Sequence, residues 1–172
     1  LISYLDAELA GFDSDLFLRR EDLEYLIRHG ERIREHDARV RREGKETPDY
    51  PYLLPAPIRA KADLIDAKLA DIRVCDPAVG SGAFLVGMMA EIVKARQTLS
   101  TYIESGEPRG TYFFKRQAIQ YSLYGVDIDP GAVEIAKLRL WLSLIVDEED
   151  IREIKPLPNL DYKVMQGNSL LE

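Results

Sequence analysis

The chain has 172 residues, 46% hydrophobic and 31% charged, which is enough for one domain with a buried core. Thirty acids against 23 lysines and arginines give a formal charge of −7, so the bulk composition does not attract a polyanion. A single cysteine, Cys75, excludes an internal disulfide and a cysteine-based zinc site, and no run approaches the roughly 18 apolar residues of a membrane span.

The chain opens at Leu1, already in amphipathic sequence and without a basic-then-apolar leader. It is read as a piece of a longer soluble protein of the cytoplasm. Ile2, Leu5 and Leu9 recur at helical spacing within Leu1 to Ala10, and Gly11 closes that helix. A second, polar helix is predicted over Arg20 to Glu43. Its apolar positions are Leu23, Leu26, Ile33 and Val40, with Gly30 and Asp37 where a heptad repeat wants two more. Arginines and acids nearly cancel along it, which favours a solvated helix with one docking stripe over a nucleic-acid surface. His29 and His36 lie on this helix outside any recognisable ligand pattern, and no metal site is predicted. Pro48, Pro51, Pro55 and Pro57 mark an extended connector from Thr47 to Pro57. Residues 1–57 are thus expected to be a helical lead-in, and residues 58–172 the main domain.

That domain opens with a helix over Ile58 to Leu69, whose Ile58, Ala62, Ile65 and Leu69 share one face. Ile72 to Cys75 reads as a buried strand and Gly80 and Gly82 as a turn. Phe84, Leu85, Met88, Met89, Ile92 and Val93 then draw a helical stripe. A polar segment from Ser100 to Gly110 and a helix over Tyr112 to Ser122 form an insertion near 98–122. Leu123 to Val126 is the next strand. Pro130 begins a helix that carries Ala132 to Val146, the acids Asp147 to Asp150 end it, and Tyr162 to Met165 is a last strand. Strands alternating with helices at this spacing mean parallel pairing with right-handed crossovers, an α/β fold.

The glycine turn carries the chemistry. Asp76 stands at a strand end just before it, where a carboxylate repels a pyrophosphate and suits a phosphate-free, cationic ligand. The third glycine of a dinucleotide fingerprint is missing, because Leu85 holds that position. S-adenosylmethionine, an adenosine bearing a sulfonium and an ammonium, fits those terms; a plain strand-to-helix turn capped by Asp76 is the competing reading. Asp127 ends the next strand, where an acid accepts from both ribose hydroxyls. Ile128 is placed either against an adenine face or in the core, and Asp129 caps the helix that Pro130 begins. Asn168, after the last strand, either bonds the adenine edge or simply makes an asparagine turn.

Asp76-Pro-Ala-Val-Gly-Ser-Gly-Ala-Phe, Tyr124-Gly-Val-Asp-Ile-Asp-Pro-Gly-Ala-Val-Glu-Ile-Ala-Lys-Leu-Arg-Leu-Trp-Leu and Gly167-Asn-Ser-Leu together resemble a known family. It is that of the N6-adenine-specific DNA methyltransferases of type II single-chain restriction–modification enzymes and related phage-defence methylases. The resemblance implies a Rossmann-like methyltransferase fold, truncated to its first three strands behind the helical lead-in. It implies S-adenosylmethionine as cofactor, with Asp76, Pro77, Ala78, Gly80, Gly82 and Phe84 at the methionine end. Asp127 would take the ribose, Ile128 the adenine face and Asn168 the adenine edge, with Ser169 also among the cofactor-binding residues; the family often has aspartate in place of this asparagine. The family's catalytic Asp/Asn/Ser-Pro-Pro-Tyr/Phe segment, which clamps a flipped adenine, does not occur in the sequence, so no catalytic residue is assigned. Double-stranded DNA would be contacted by parts of the parent outside this chain. Truncation would leave the first strand as an open edge for self-association. A methyltransferase acting on RNA, protein or a small molecule, and a non-catalytic module keeping the fold, are the alternatives.

Overall fold

Hydrophobic spacing and helix-capping residues set the elements seen in the computed structural model, which describes residues 1–10, 18–44, 52–103, 109–146, 156 and 158–170. The chain divides into two compact units, Leu1–Leu69 with Lys94–Arg109, and Ala70–Val93 with Gly110–Glu172. Gly11, the first part of the proline connector and the acids 147–150 lie outside the described residues.

The first unit is helical: α1 (Ile2–Leu9), α2 (Arg20–Glu43), α3 (Ala56–Ala60), most of α4 (Ala62–Asp71) and the end of α5 (Ala83–Ser100). Its core includes Leu5, Leu23, Leu26, Ile33, Ile65 and Leu99. α2 has the predicted bounds. The Asp22 carboxylate accepts the Arg19 amide at 3.1 Å, and Gly44, at φ 67°, turns its own amide back to the Val40 carbonyl. Both gaps in its heptad pattern have packing causes. A Cβ on Gly30 would lie 2.8 Å from the Thr98 hydroxyl, so only glycine lets that neighbour approach. Asp37 accepts the Tyr102 hydroxyl at 2.6 Å; burial, then this carboxylate, push the phenol well above its ordinary pKa. The helix predicted over Ile58 to Leu69 is broken at Lys61, whose amide bonds back to Ile58 in a tighter turn. Its apolar face survives the break: Ile58, Ala62, Ile65 and Leu69 are all buried.

The second unit carries a parallel sheet in the order β1-β2-β3: β1 (Val74–Asp76), β2 (Leu123–Asp127) and β3 (Val164–Gln166). Val74 pairs with Leu123 and Gly125 with Val164, so β2 is central and β1 lies at an edge of the described sheet. The last strand starts two residues later than predicted, because Tyr162 belongs to an exposed turn. The expected helix over Tyr112 to Ser122 is α6 (Thr111–Gln117), which widens into a π-helical turn, Ala118–Ser122. There the Leu123 amide bonds Ala118, five residues back, as the chain enters β2. α7 (Pro130–Ile145) buries Val133, Ala136, Leu140 and Leu144 at helical spacing, and Asp129 caps it by accepting the Gly131 amide at 2.8 Å. Among the described residues no helix is long and apolar enough to cross a membrane.

Gly82 is one position where this unit tolerates no side chain. Its φ is 79°, and a Cβ would lie 3.0 Å from the Ala136 Cβ and 3.1 Å from its Cα. Gly82→Ala is expected to cost about 2–4 kcal/mol, combining left-handed strain with overpacking. Gly87→Ala, in helical backbone with nothing within 4 Å, should stabilise slightly. Urea denaturation of the two variants checks the contrast, which equal effects would contradict.

Candidate functional site

The carboxyl ends of the three strands feed three loops, and these are tied to one another. After β1, Asp76 turns its carboxylate onto the Ala78 amide at 3.1 Å, forming a local Asx turn. The chain then reaches Val79, whose amide bonds the Val126 carbonyl of β2 at 2.9 Å, and Gly80, at φ 50°. The Gly80 amide donates to Asp127 Oδ2 at 2.7 Å, and the Asp129 amide to Asp127 Oδ1 at 3.0 Å. From the third loop, the Gly167 amide donates to the Asp127 carbonyl at 2.9 Å and the Ser169 hydroxyl to the Pro77 carbonyl at 2.8 Å. Asp127 is therefore the hub. One oxygen steadies the glycine turn, the other steadies the start of α7, and its carbonyl holds the loop after β3.

Backbone amides, Asp129 first, then Gly80, with Ile128 as the smallest contributor, hold the Asp127 carboxyl below the usual carboxylate range. A carboxylate offers about four acceptor sites, so these backbone amides leave it capacity to accept from a ligand. Gly125 serves the same frame: a Cβ there would lie 2.7 Å from Val79 Cγ2, so the turn could not lie against β2. A glycine inside a strand was the available sequence signal for that close approach.

A shallow groove of about 250 Å³ opens over these loops, lined by Pro77, Ala78, Asp127, Ile128, Gly167, Asn168, Ser169 and Leu170. Six of the ten sequence-derived candidates, Pro77, Ala78, Asp127, Ile128, Asn168 and Ser169, thus come together. Asp76, Gly80, Gly82 and Phe84 are not among the lining residues: Asp76 and Gly80 shape the turn, Gly82 packs on Ala136, and Phe84 is exposed in the first turn of α5. Ile128 is 69% exposed, so it is not a core residue. Asn168 does make an asparagine turn, its Oδ1 accepting the Leu170 amide at 3.0 Å, which leaves its NH2 and one oxygen lone pair. Leu170, 91% exposed, joins the lining without being one of the ten candidates, since a lone apolar residue past a strand end carries no binding signal in sequence.

Among the described residues the lining combines one carboxylate, one amide, one hydroxyl and exposed aliphatic surface, without a lysine, arginine or histidine. That donor set suits a nucleoside with free ribose hydroxyls and no phosphate.

A parallel sheet, a two-glycine turn after its first strand and an acid after its second define an α/β domain of the Rossmann-like methyltransferase class. A family model described as MmeI, DNA-methyltransferase domain, matches residues 58–170, and the chain belongs to this family. Over 118 residues, 66% of the chain, it is 44% identical to a protein of Methanocaldococcus jannaschii whose name describes a type II restriction enzyme and methyltransferase. Over 83 residues, 48% of the chain, it is 29% identical to DNA methyltransferase A of Bacillus subtilis. In each case the match spans 9% of the relative's length. No solved structure matches the chain significantly.

Proposed function

We propose that this chain is the S-adenosylmethionine-binding part of an adenine-specific DNA methyltransferase, one that methylates the exocyclic amine of adenine in a restriction–modification or phage-defence system. The observation that carries the reading is the groove at the strand ends, where a backbone-held carboxylate stands beside exposed apolar side chains and, among the described residues, no cation. In this reading Asp127 accepts from the ribose hydroxyls, Ile128 lies on an adenine face, and Asn168 and Ser169 take the adenine edge. The turn from Asp76 to Gly82, with Phe84 beyond it, receives the methionine end. S-adenosylmethionine supplies, when bound, an electrophilic methyl group on a sulfonium. Asp76 and Asp127 give the site a negative field suited to that cation.

The names of the two relatives, one joining restriction to methyl transfer and one naming DNA, support DNA as the parent's substrate. The adenine assignment rests on the resemblance of the segments at Asp76, Tyr124 and Gly167 to the N6-adenine methyltransferases. Because the Pro-Pro-Tyr/Phe segment is absent from the 172 residues, the chain alone binds cofactor without transferring methyl groups. Parts of the parent outside the chain contact the duplex. The β1 edge offers unpaired backbone to a second copy or to a further strand.

Calorimetric titration tests the cofactor assignment. Saturable heat is expected with S-adenosylmethionine and S-adenosylhomocysteine, and none with ATP or NAD. A folded chain that ignores both sulfur ligands, or that takes ATP equally well, would overturn it.

A further inference from the structure

We propose that Arg139 is a positioning residue for the glycine turn, acting through Ser81. The proposal deepens the cofactor reading above and rests on it for its binding readout. Ser81 stands between Gly80 and Gly82, both at positive φ, so the peptide planes on either side of it lack the Cβ restraint other residues provide. The flanking glycines are anchored separately. Gly80 donates to Asp127, while Gly82 lies against Ala136 and donates to the Val79 carbonyl at 2.8 Å. Ser81 is fastened by its side chain, its Oγ accepting from Arg139 Nη1 at 3.0 Å.

Ala136 and Arg139 are three residues apart on α7 and so share a helix face. That face supports the turn twice, by packing under Gly82 and by a charge-assisted hydrogen bond to Ser81. α7 itself starts at Asp129, whose amide is bound to Asp127. One rigid helix therefore connects the acid at the end of β2 to the middle of the turn. Arg139 is exposed and is not among the groove's lining residues, so its influence passes through Ser81 and not through contact with the ligand. Holding residue 81 in advance lowers the ordering cost of binding.

The test uses the full chain with Arg139→Ala, Arg139→Lys, Ser81→Ala and the Arg139→Ala/Ser81→Ala double variant. S-adenosylhomocysteine affinity is read by calorimetry and amide hydrogen exchange at Gly80, Ser81 and Gly82 by NMR. Each alanine variant should weaken binding about three- to tenfold. The double variant should lose no more than either single one, and the lysine variant should recover part of the loss. Exchange at the three amides should quicken in both alanine variants while the unfolding midpoint stays near that of the parent sequence. Additive losses, or exchange unchanged by either substitution, would overturn the tether. If the unsubstituted chain gives no heat but exchange still responds to Arg139→Ala, the tether stands and the cofactor reading falls.

Discussion

Replacing Asp66 by alanine is expected to cost about 3–5 kcal/mol, the largest single stability loss among the residues considered. Asp66 is buried on α4 and serves two arginines. Arg96 Nε reaches Oδ1 at 2.7 Å and Nη2 reaches Oδ2 at 3.3 Å, while Arg109 Nη1 reaches Oδ2 at 2.9 Å. The side chains of Asp66 and Arg96 are 8% and 5% exposed, so solvent screening is slight, whereas Arg109 at 28% is partly screened. Alanine would leave the Arg96 guanidinium buried without this carboxylate, a penalty that exceeds the pair's net worth. Asp66→Asn, which keeps the volume and one acceptor, should lose less, about 1.5–3 kcal/mol. Combining Asp66→Ala with Arg96→Met should recover much of the stability, because it removes the buried guanidinium along with its carboxylate. Urea denaturation followed by circular dichroism measures all three. A loss below about 1 kcal/mol for Asp66→Ala would mean that water reaches the pair, in the manner of a surface ion pair.

How this network and the groove differed in legibility has a physical explanation. Short-range patterns in the sequence located every element of the parallel sheet and the loops that bear the groove. A strand end followed by a two-glycine turn leaves few geometries, and Asp129-Pro130 announces a helix start. Long-range partners left no such pattern. Asp66 is one more acid in an amphipathic helix until Arg96 and Arg109 fold against it, and Gly30 looks like a weak point until Thr98 occupies its place. Helix bounds slipped where the chain changes pitch and not composition, at Lys61 and at the π-helical turn, since both stretches keep good helix formers. For Asp76 and Asn168 the geometry displays the competing reading, a local turn held by the side chain, and the cofactor role stays a proposal. Both side chains cap local turns in the loops around the groove, and a short polar side chain that spends one lone pair on backbone keeps others.

The same arithmetic makes Asp127 the residue whose loss should reach furthest into binding. Asp127→Ala is expected to weaken S-adenosylhomocysteine binding at least about 100-fold, the sum of two hydrogen bonds from ribose hydroxyls to a charged acceptor. Asp127→Asn should be nearly as severe. One of its two terminal atoms becomes an NH2 that must face the Gly80 or the Asp129 amide, donor against donor, so the glycine turn loosens along with the ribose contact. Asp129→Ala separates site from scaffold: it removes the cap on Gly131, at about 0.5–2 kcal/mol, yet keeps its own backbone amide for Asp127 and should leave affinity nearly unchanged. The pH profile carries the same signature. Asp127's folded-state pKa is depressed by backbone amides, Asp129 first and Gly80 second, below its unfolded value of about 3.9. Its contribution is therefore present above the unfolded value and lost only as pH falls through the lower, folded one. Affinity should thus be flat in Asp127's ionisation from about pH 5 upward. Calorimetry across pH 5–8 checks this, and a loss of binding in that window that Asp127→Asn abolishes would show a carboxyl titrating where these hydrogen bonds forbid it.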